Sequence, residues 1–244
     1  MEQLIYSNIL IKFFEKRKWA NSFRKGNLYI NEAGKFITEE NNFRGDDYEG
    51  SHVVSFENTI FVQFKNEANG ETIQIPLQPK TPIKQSFVGA KKVPIFCAAR
   101  LNETNFIKIG SDEYKIAEDF ISYMEQFGSY AVIFDKRELL NKINKKADIL
   151  KVPVASGNVQ YQNYDNEFKH FENIKEQYEQ FFCKYISDDR NYDKQNEWRV
   201  LLGDTKLIDN KHDHFELGIG KLKYATQVIE TKYLKKGVFH FNAK

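Results

Sequence analysis

Between Tyr192 and Leu202 the chain reads Tyr-Asp-Lys-Gln-Asn-Glu-Trp-Arg-Val-Leu-Leu, and two chemistries alternate along it. In a strand, successive side chains point to opposite faces. Trp198, Val200 and Leu202 then share one face, and Gln195, Glu197 and Arg199 share the other. The first is a core face. The second sets an amide, a carboxylate and a guanidinium side by side on a rigid element, which is the support a functional site needs. The bland alternative is a half-exposed strand whose Glu197 and Arg199 face water.

A second dense group of charge comprises Arg44, Asp46, Asp47 and Glu49, with Tyr48 among them and Gly45 and Gly50 letting the backbone approach a ligand closely. Arg44 can hold phosphate oxygens bidentately. A cleft needs opposed walls, so this loop is expected beside the Glu197 strand. Its alternative is a surface loop whose charges pair with each other and contribute little.

Around these groups, Ile9 to Phe14 reads as a first strand. It leads into a helix over Glu15 to Arg24 that Gly26 ends, and then a strand over Asn27 to Ile30. His52 to Phe56 and Thr59 to Phe64 read as a hairpin, Asn69-Gly70 as a turn before a strand at Thr72, and Val93 to Ala98 as a central strand. Asp112 to Gln126 reads as a helix with a stripe of Ala117, Phe120, Ile121 and Met124. Tyr130 to Phe134 is a strand, Lys136 to Lys145 a helix, and Val152 to Ala155 with Val159 to Tyr161 a hairpin across Gly157-Asn158. The longest helical pattern runs from Glu167 to Tyr185, and strands at Phe215 to Ile219, Thr226 to Ile229 and Val238 to Phe241 follow. There is no internal repeat and no linker dividing the chain. The pattern predicts one α+β domain over residues 1–244, with a bent, mostly antiparallel sheet and covering helices.

The 244 residues suffice for a sizeable core, and 21 Phe with 13 Tyr supply its material. A net charge of +2 gives no argument for a strongly basic nucleic-acid sheath, although Lys142, Lys145 and Lys146 cluster on one helix. No apolar run reaches the length of a membrane span, and the start of the chain lacks the basic and apolar regions of a signal peptide. Cys97 and Cys183 have no metal-type spacing and read as free thiols, so a cytoplasmic location is expected.

Phosphate-cradling glycine loops, a Gly-x-Ser-x-Gly elbow and a His-Glu-x-x-His helix are all absent from the sequence. His212 and His214 could share a strand face toward a metal, but no third ligand stands near them in sequence, and no metal site is expected. Cys183 falls on the predicted long helix, where packing is its expected role.

The order of parts resembles a bacterial family known as a domain of unknown function. The resemblance rests on Ile9-Leu-Ile-Lys-Phe-Phe14, Trp19 to Phe23, Asn27 to Ile30, Pro94-Ile-Phe-Cys97, Phe127 to Phe134 and Val159-Gln-Tyr161. It closes on Lys184, Tyr192 and Gln195-Asn-Glu197-Trp-Arg199. That last signature also resembles the Gln/Glu-x-Glu element of ADP-ribosyltransferases. The resemblance implies NAD as substrate and Glu197 as the catalytic glutamate that stabilises an oxocarbenium-like transition state. Gln195 would orient the acceptor, and Arg199 would stand beside them. On the first strand, where such enzymes present Arg or His to NAD, this chain has Lys12, so Arg44 or Arg100 would supply the guanidinium. Tyr161 and Tyr192 are the expected stacking partners for a nicotinamide or adenine ring.

The leading expectation is thus an ADP-ribosyltransferase-like effector or toxin of bacterial or phage conflict, acting on a protein, nucleic acid or nucleotide acceptor. Two other classes compete. One is a non-catalytic module that binds protein or nucleic acid through exposed aromatics. The other is a nuclease-like defence protein with Asp46, Asp47, Glu49 and Glu197 around Mg²⁺. Trp198 is assigned to stability and Glu197 to chemistry with little effect on folding, whereas the binding-module reading leaves Glu197 only in a surface ion pair.

Overall fold

A computed structural model describes residues 8–38, 49–54, 61–66, 70–76, 83–162, 178–185, 192–208 and 211–240. Arg44, Gly45, Asp46, Asp47 and Tyr48 lie outside the described residues, as does most of the helix expected over Glu167 to Tyr185.

Eight runs, most of them carrying β-branched or aromatic residues, assemble into one sheet. They are β1 (Ile9–Phe14), β2 (Asn27–Glu32), β3 (Pro94–Arg100), β4 (Tyr130–Asp135), β5 (Val154–Asn158), β6 (Glu197–Leu202), β7 (His214–Gly218) and β8 (Ile229–Glu230). The order is β5-β6-β3-β1-β4-β8, with β2 on β3 and β7 on β2, and every pairing is antiparallel. The α+β character and the mostly antiparallel sheet are therefore as the sequence predicts.

The sheet forks at its centre. β1 takes one end of β3, with Leu10 opposite Arg100 and Ile11 opposite Ala99. β2 takes the other end of the same edge, with Asn31 opposite Ile95 and Glu32 opposite Pro94. Beside residues 96–98 neither strand completes the ladder. There the Cys97 carbonyl accepts a hydrogen bond from Lys12 Nζ at 2.6 Å, so a side chain satisfies what a strand would have satisfied.

Both faces of the sheet are packed. On one, Leu10, Phe96, Val132, Trp198 and Val200 bury Ala20 and Phe23 of α1 (Arg17–Arg24). Leu139 and Ile143 of α4 (Lys136–Leu150) join the same cluster. On the other face, Ile11, Phe13, Ala99 and Ile133 meet Phe120, Ile121 and Met124 of α3 (Glu118–Met124), the stripe expected from the sequence. A smaller cluster joins Ile95 and Leu201 to Ala33, at the start of α2 (Ala33–Thr38), and to Phe181. Gly26 ends α1 at φ 91°, and a Cβ there would stand 2.0 Å from the Gly220 carbonyl oxygen.

Several local expectations are overturned by longer-range pairing. His52–Val54 pairs with Ile83–Gln85, and Phe61–Lys65 with Thr72–Pro76, while the turn expected at Glu57-Asn58 lies outside the described residues. Gly157-Asn158 is not a turn either. β5 runs through it against β6, with Gly157 opposite Arg199, and Gln160–Gln162 pairs in parallel with Cys183–Tyr185. A fully buried β6 offers β5 a longer ladder than the local hairpin would. Glu113–Ile116 is a strand paired with Phe106–Lys108, so only the second half of the expected Asp112 to Gln126 helix is helical. Cys183 opens a strand after the 3-10 turn Gln180–Phe182 and is not helical.

Candidate active site

β6 lies between β5 and β3, and its alternation is the one read from the sequence: Trp198, Val200 and Leu202 enter the core. Glu197 and Arg199 point to the opposite face, but not into water. Both are buried. Gln195 departs from the expectation, because it ends the 3-10 turn Asp193–Gln195 and is not on the strand. Asn196 separates the two at φ 47°, a left-handed conformation that Asn tolerates. Its amide locks that corner, donating to the Arg100 carbonyl at 3.1 Å and to Asn105 Oδ1 at 3.0 Å, while its Oδ1 accepts from Arg100 Nη2 at 2.7 Å.

The buried charges form one network. Arg199 Nε donates to Glu197 Oε1 at 2.8 Å, and Nη2 reaches Glu197 Oε2 at 3.4 Å. The far side of the guanidinium grips Glu49, with Nη1 on Oε1 at 2.7 Å and Nη2 on Oε2 at 2.8 Å. Nη1 also donates to the Phe181 carbonyl. Every N–H of the guanidinium is thereby used. Lys184 completes the set, 2.9 Å from Glu197 Oε2, donating to Gln195 Oε1 at 3.1 Å and standing 5.0 Å from the centre of the Tyr192 ring. Two carboxylates face two cations, so the cluster is neutral overall, which is how charges survive burial. The backbone is fixed as well: Glu197 N–H donates to the Tyr161 hydroxyl at 2.9 Å.

These contacts set the protonation states. Burial alone would push the Glu197 carboxyl up, but the Arg199 guanidinium and the Lys184 ammonium hold it well below the usual carboxylate range. Burial opposes the charge on Arg199 too, and Glu197 and Glu49 more than restore it. Burial and the Glu197 charge push the Cys97 thiol and the Tyr161 phenol up, so both are neutral near pH 7.

A cleft of about 630 Å³ opens over this cluster and through the fork. Lys12, Cys97, Lys184, Gln195, Glu197 and Arg199 line its polar part. The Lys12 ammonium stands 4.5 Å from the centre of the Phe96 ring. Asn31, which also lines the cleft, keeps its side-chain Oδ1 buried without a hydrogen-bond partner. Trp19 and Tyr29, each 44% exposed, line the same cleft and offer ring faces.

Of the residues singled out from the sequence, Glu197, Gln195, Arg199 and Lys12 come together at this cleft. Arg44 lies outside the described residues, but Glu49, from the same loop, sits on Arg199. Tyr192 is buried beneath Lys184, and Tyr161 spends its hydroxyl on the β6 backbone. Neither is among the described residues lining the cleft. Arg100 is tied to Asn196. Lys184, Cys97, Trp19 and Tyr29 were legible only as fragments of the family resemblance, while Asn31 carried no signal beyond its residue type. His214 stacks on Tyr29 at 4.2 Å and pairs with Asp213 at 2.9 Å. Among the described residues there is no group of three or more His, Cys, Asp or Glu that could hold a metal ion. Among the same residues no helix is long and apolar enough to cross a membrane.

Comparison of the chain with protein-family models, with curated proteins and with solved structures returns no match.

Proposed function

We propose that the chain is an ADP-ribosyltransferase-like enzyme with NAD as substrate, in which Glu197 meets the positive charge that develops at the nicotinamide ribose. The observation that carries this reading is a buried carboxylate, ionised by its neighbours, lining a cleft large enough for a nucleotide portion. A carboxyl held well below its ordinary range takes up no proton at neutral pH. Its use is therefore electrostatic, which suits an oxocarbenium-like transition state and not general-base chemistry. Gln195, in the same cleft, orients the acceptor, and Lys12 supplies a cation to the bound phosphates. Trp19 and Tyr29 take over the stacking role expected of Tyr161 and Tyr192. Arg199 is a positioning residue, since its donors are spent on Glu49, Glu197 and Phe181. Such an enzyme would serve as an effector or toxin acting on a macromolecular acceptor in the cytoplasm, with phage defence as one setting.

A second reading, a non-catalytic binding module, draws on a different observation: the cluster balances its charge and fills its donors without any ligand. The nuclease-like reading loses support, because Glu49 and Glu197, two of the carboxylates it needs, close on a guanidinium. Incubation with labelled NAD⁺ and an acceptor extract, reading nicotinamide release and label transfer together, separates the first two. Turnover that falls at least a hundredfold in Glu197→Gln, with near-ultraviolet dichroism reporting a folded core, supports the enzyme. A folded wild-type protein that releases no nicotinamide at millimolar NAD⁺ supports the module.

A further inference from the structure

Away from the cleft, the solvent side of α4 forms the floor of a shallow groove of about 710 Å³. Its wall is the segment bearing Lys223 and Tyr224, fixed there by a specific contact. The two oxygens of Glu138 accept the backbone N–H groups of Lys223 and Tyr224 at 2.7 and 2.8 Å. Leu222 is buried just before them, and its N–H donates to the Arg24 carbonyl at 3.0 Å. The groove is thus built by the fold and is not a chance meeting of side chains.

Its chemistry is one-sided. Arg137, Lys142, Lys145 and Lys223 line it, against only Asp135 and Glu138. Both acids are already committed. Asp135 caps α4 by accepting Glu138 N–H at 2.8 Å and pairs with Arg137 at 3.2 Å, and Glu138 holds the wall and stands 4.0 Å from Lys142, so the groove keeps a net positive charge carried mainly by Lys145 and Lys223. From Arg137 to Lys145 the cations run along about 12 Å of helix, long enough for successive charges of a chain and not just a single small anion. Beside them Tyr224 is 73% exposed. A basic track with a solvent-facing ring is the arrangement that takes phosphates along one line and a base on the aromatic face.

We propose that this groove binds single-stranded nucleic acid, with Lys142, Lys145 and Lys223 on the phosphates and Tyr224 stacked on a base. The site is independent of the Glu197 reading, and its test uses no NAD. Fluorescence anisotropy of a labelled oligothymidylate of about twelve nucleotides, titrated with the full chain at about 50 mM salt and above, is the measurement. Three to four phosphate contacts give a log–log salt slope of about −2 to −3. Charge reversal in Lys142→Glu/Lys145→Glu, with an unchanged thermal melt, weakens binding at least tenfold. Tyr224→Ala weakens the oligonucleotide about tenfold and leaves any residual affinity for poly-glutamate unchanged. Three outcomes overturn the proposal. They are no binding by the folded protein at the lowest salt, binding indifferent to the charge reversal, and poly-glutamate bound as tightly as the oligonucleotide with Tyr224→Ala without effect. The last would assign the groove to an acidic protein surface.

Discussion

Glu49 stands 150 residues before Arg199 in the chain, yet its two oxygens take both terminal nitrogens of that guanidinium, at 2.7 and 2.8 Å. Gly50 follows at φ 62°, and a Cβ there would stand 2.2 Å from the Phe181 ring. The chain thus enters the site through a gap that only glycine fits.

Removing one partner of this buried pair strands the other. Glu49→Ala is expected to cost on the order of 3–5 kcal/mol, read from urea unfolding at neutral pH. The double variant Glu49→Leu/Arg199→Met costs less than the sum of its single changes, because no charge is left uncompensated. Additive losses would show that the pair is not coupled.

The pH dependence follows from Glu197. Its folded pKa lies well below the unfolded value of about 4.3. The stabilisation is therefore fully present above that unfolded value and is lost as pH falls through and below it toward the folded pKa. Thermal melts from neutral to acid pH should show a steep loss below about pH 4–5. Glu197→Gln flattens that acid limb, and an identical limb in the variant would remove Glu197 as its source.

Trp198→Ala is expected to cost about 3–5 kcal/mol, since the indole lies in the main core. The sequence led us to expect Glu197→Gln to leave folding nearly intact, and the burial of Glu197 against Lys184 and Arg199 reverses this. The neutral variant is now expected to lose on the order of 2–4 kcal/mol by unbalancing two buried cations. Side-by-side thermal melts of the two variants decide the ranking.

Tyr161→Phe tests the backbone anchor. It leaves the Glu197 N–H without its hydroxyl acceptor, at a cost of about 1–3 kcal/mol. If stability falls but nicotinamide release per folded molecule holds, Tyr161 is a support of the strand and not a ligand contact.

The division between what the sequence disclosed and what it concealed has a physical origin. Alternation is local, so Trp198 and Val200 against Glu197 and Arg199 was legible in the residues themselves, as was the α3 stripe of Phe120, Ile121 and Met124. Turn chemistry is also local, and it misled at Gly157-Asn158, where pairing with a buried β6 outweighs a two-residue turn. The break at Asn196 was hidden because a left-handed residue between Gln195 and Glu197 leaves the polar pattern unchanged. The ionic partners of Glu197 and Arg199 lie beyond any local pattern, since Lys184 arrives from another strand and Glu49 from the far end of a distant loop. The groove along α4 was visible only as a lysine cluster. Its wall comes from Lys223 and Tyr224, which the sequence did not connect to it.

The fork beside Cys97 carries a consequence for how this protein avoids joining itself to others. A sheet normally exposes unpaired peptide groups only at its rims, but here β3 has an unfinished stretch in the middle, beside residues 96–98. Lys12 occupies that gap with an ammonium bonded to the Cys97 carbonyl. A charge aimed at an unpaired peptide edge discourages strand addition, because an incoming backbone would have to bury it. On this argument Lys12→Ala is expected to raise self-association, read as a concentration-dependent rise in sedimentation coefficient, and unchanged sedimentation would remove the gap as a point of strand addition.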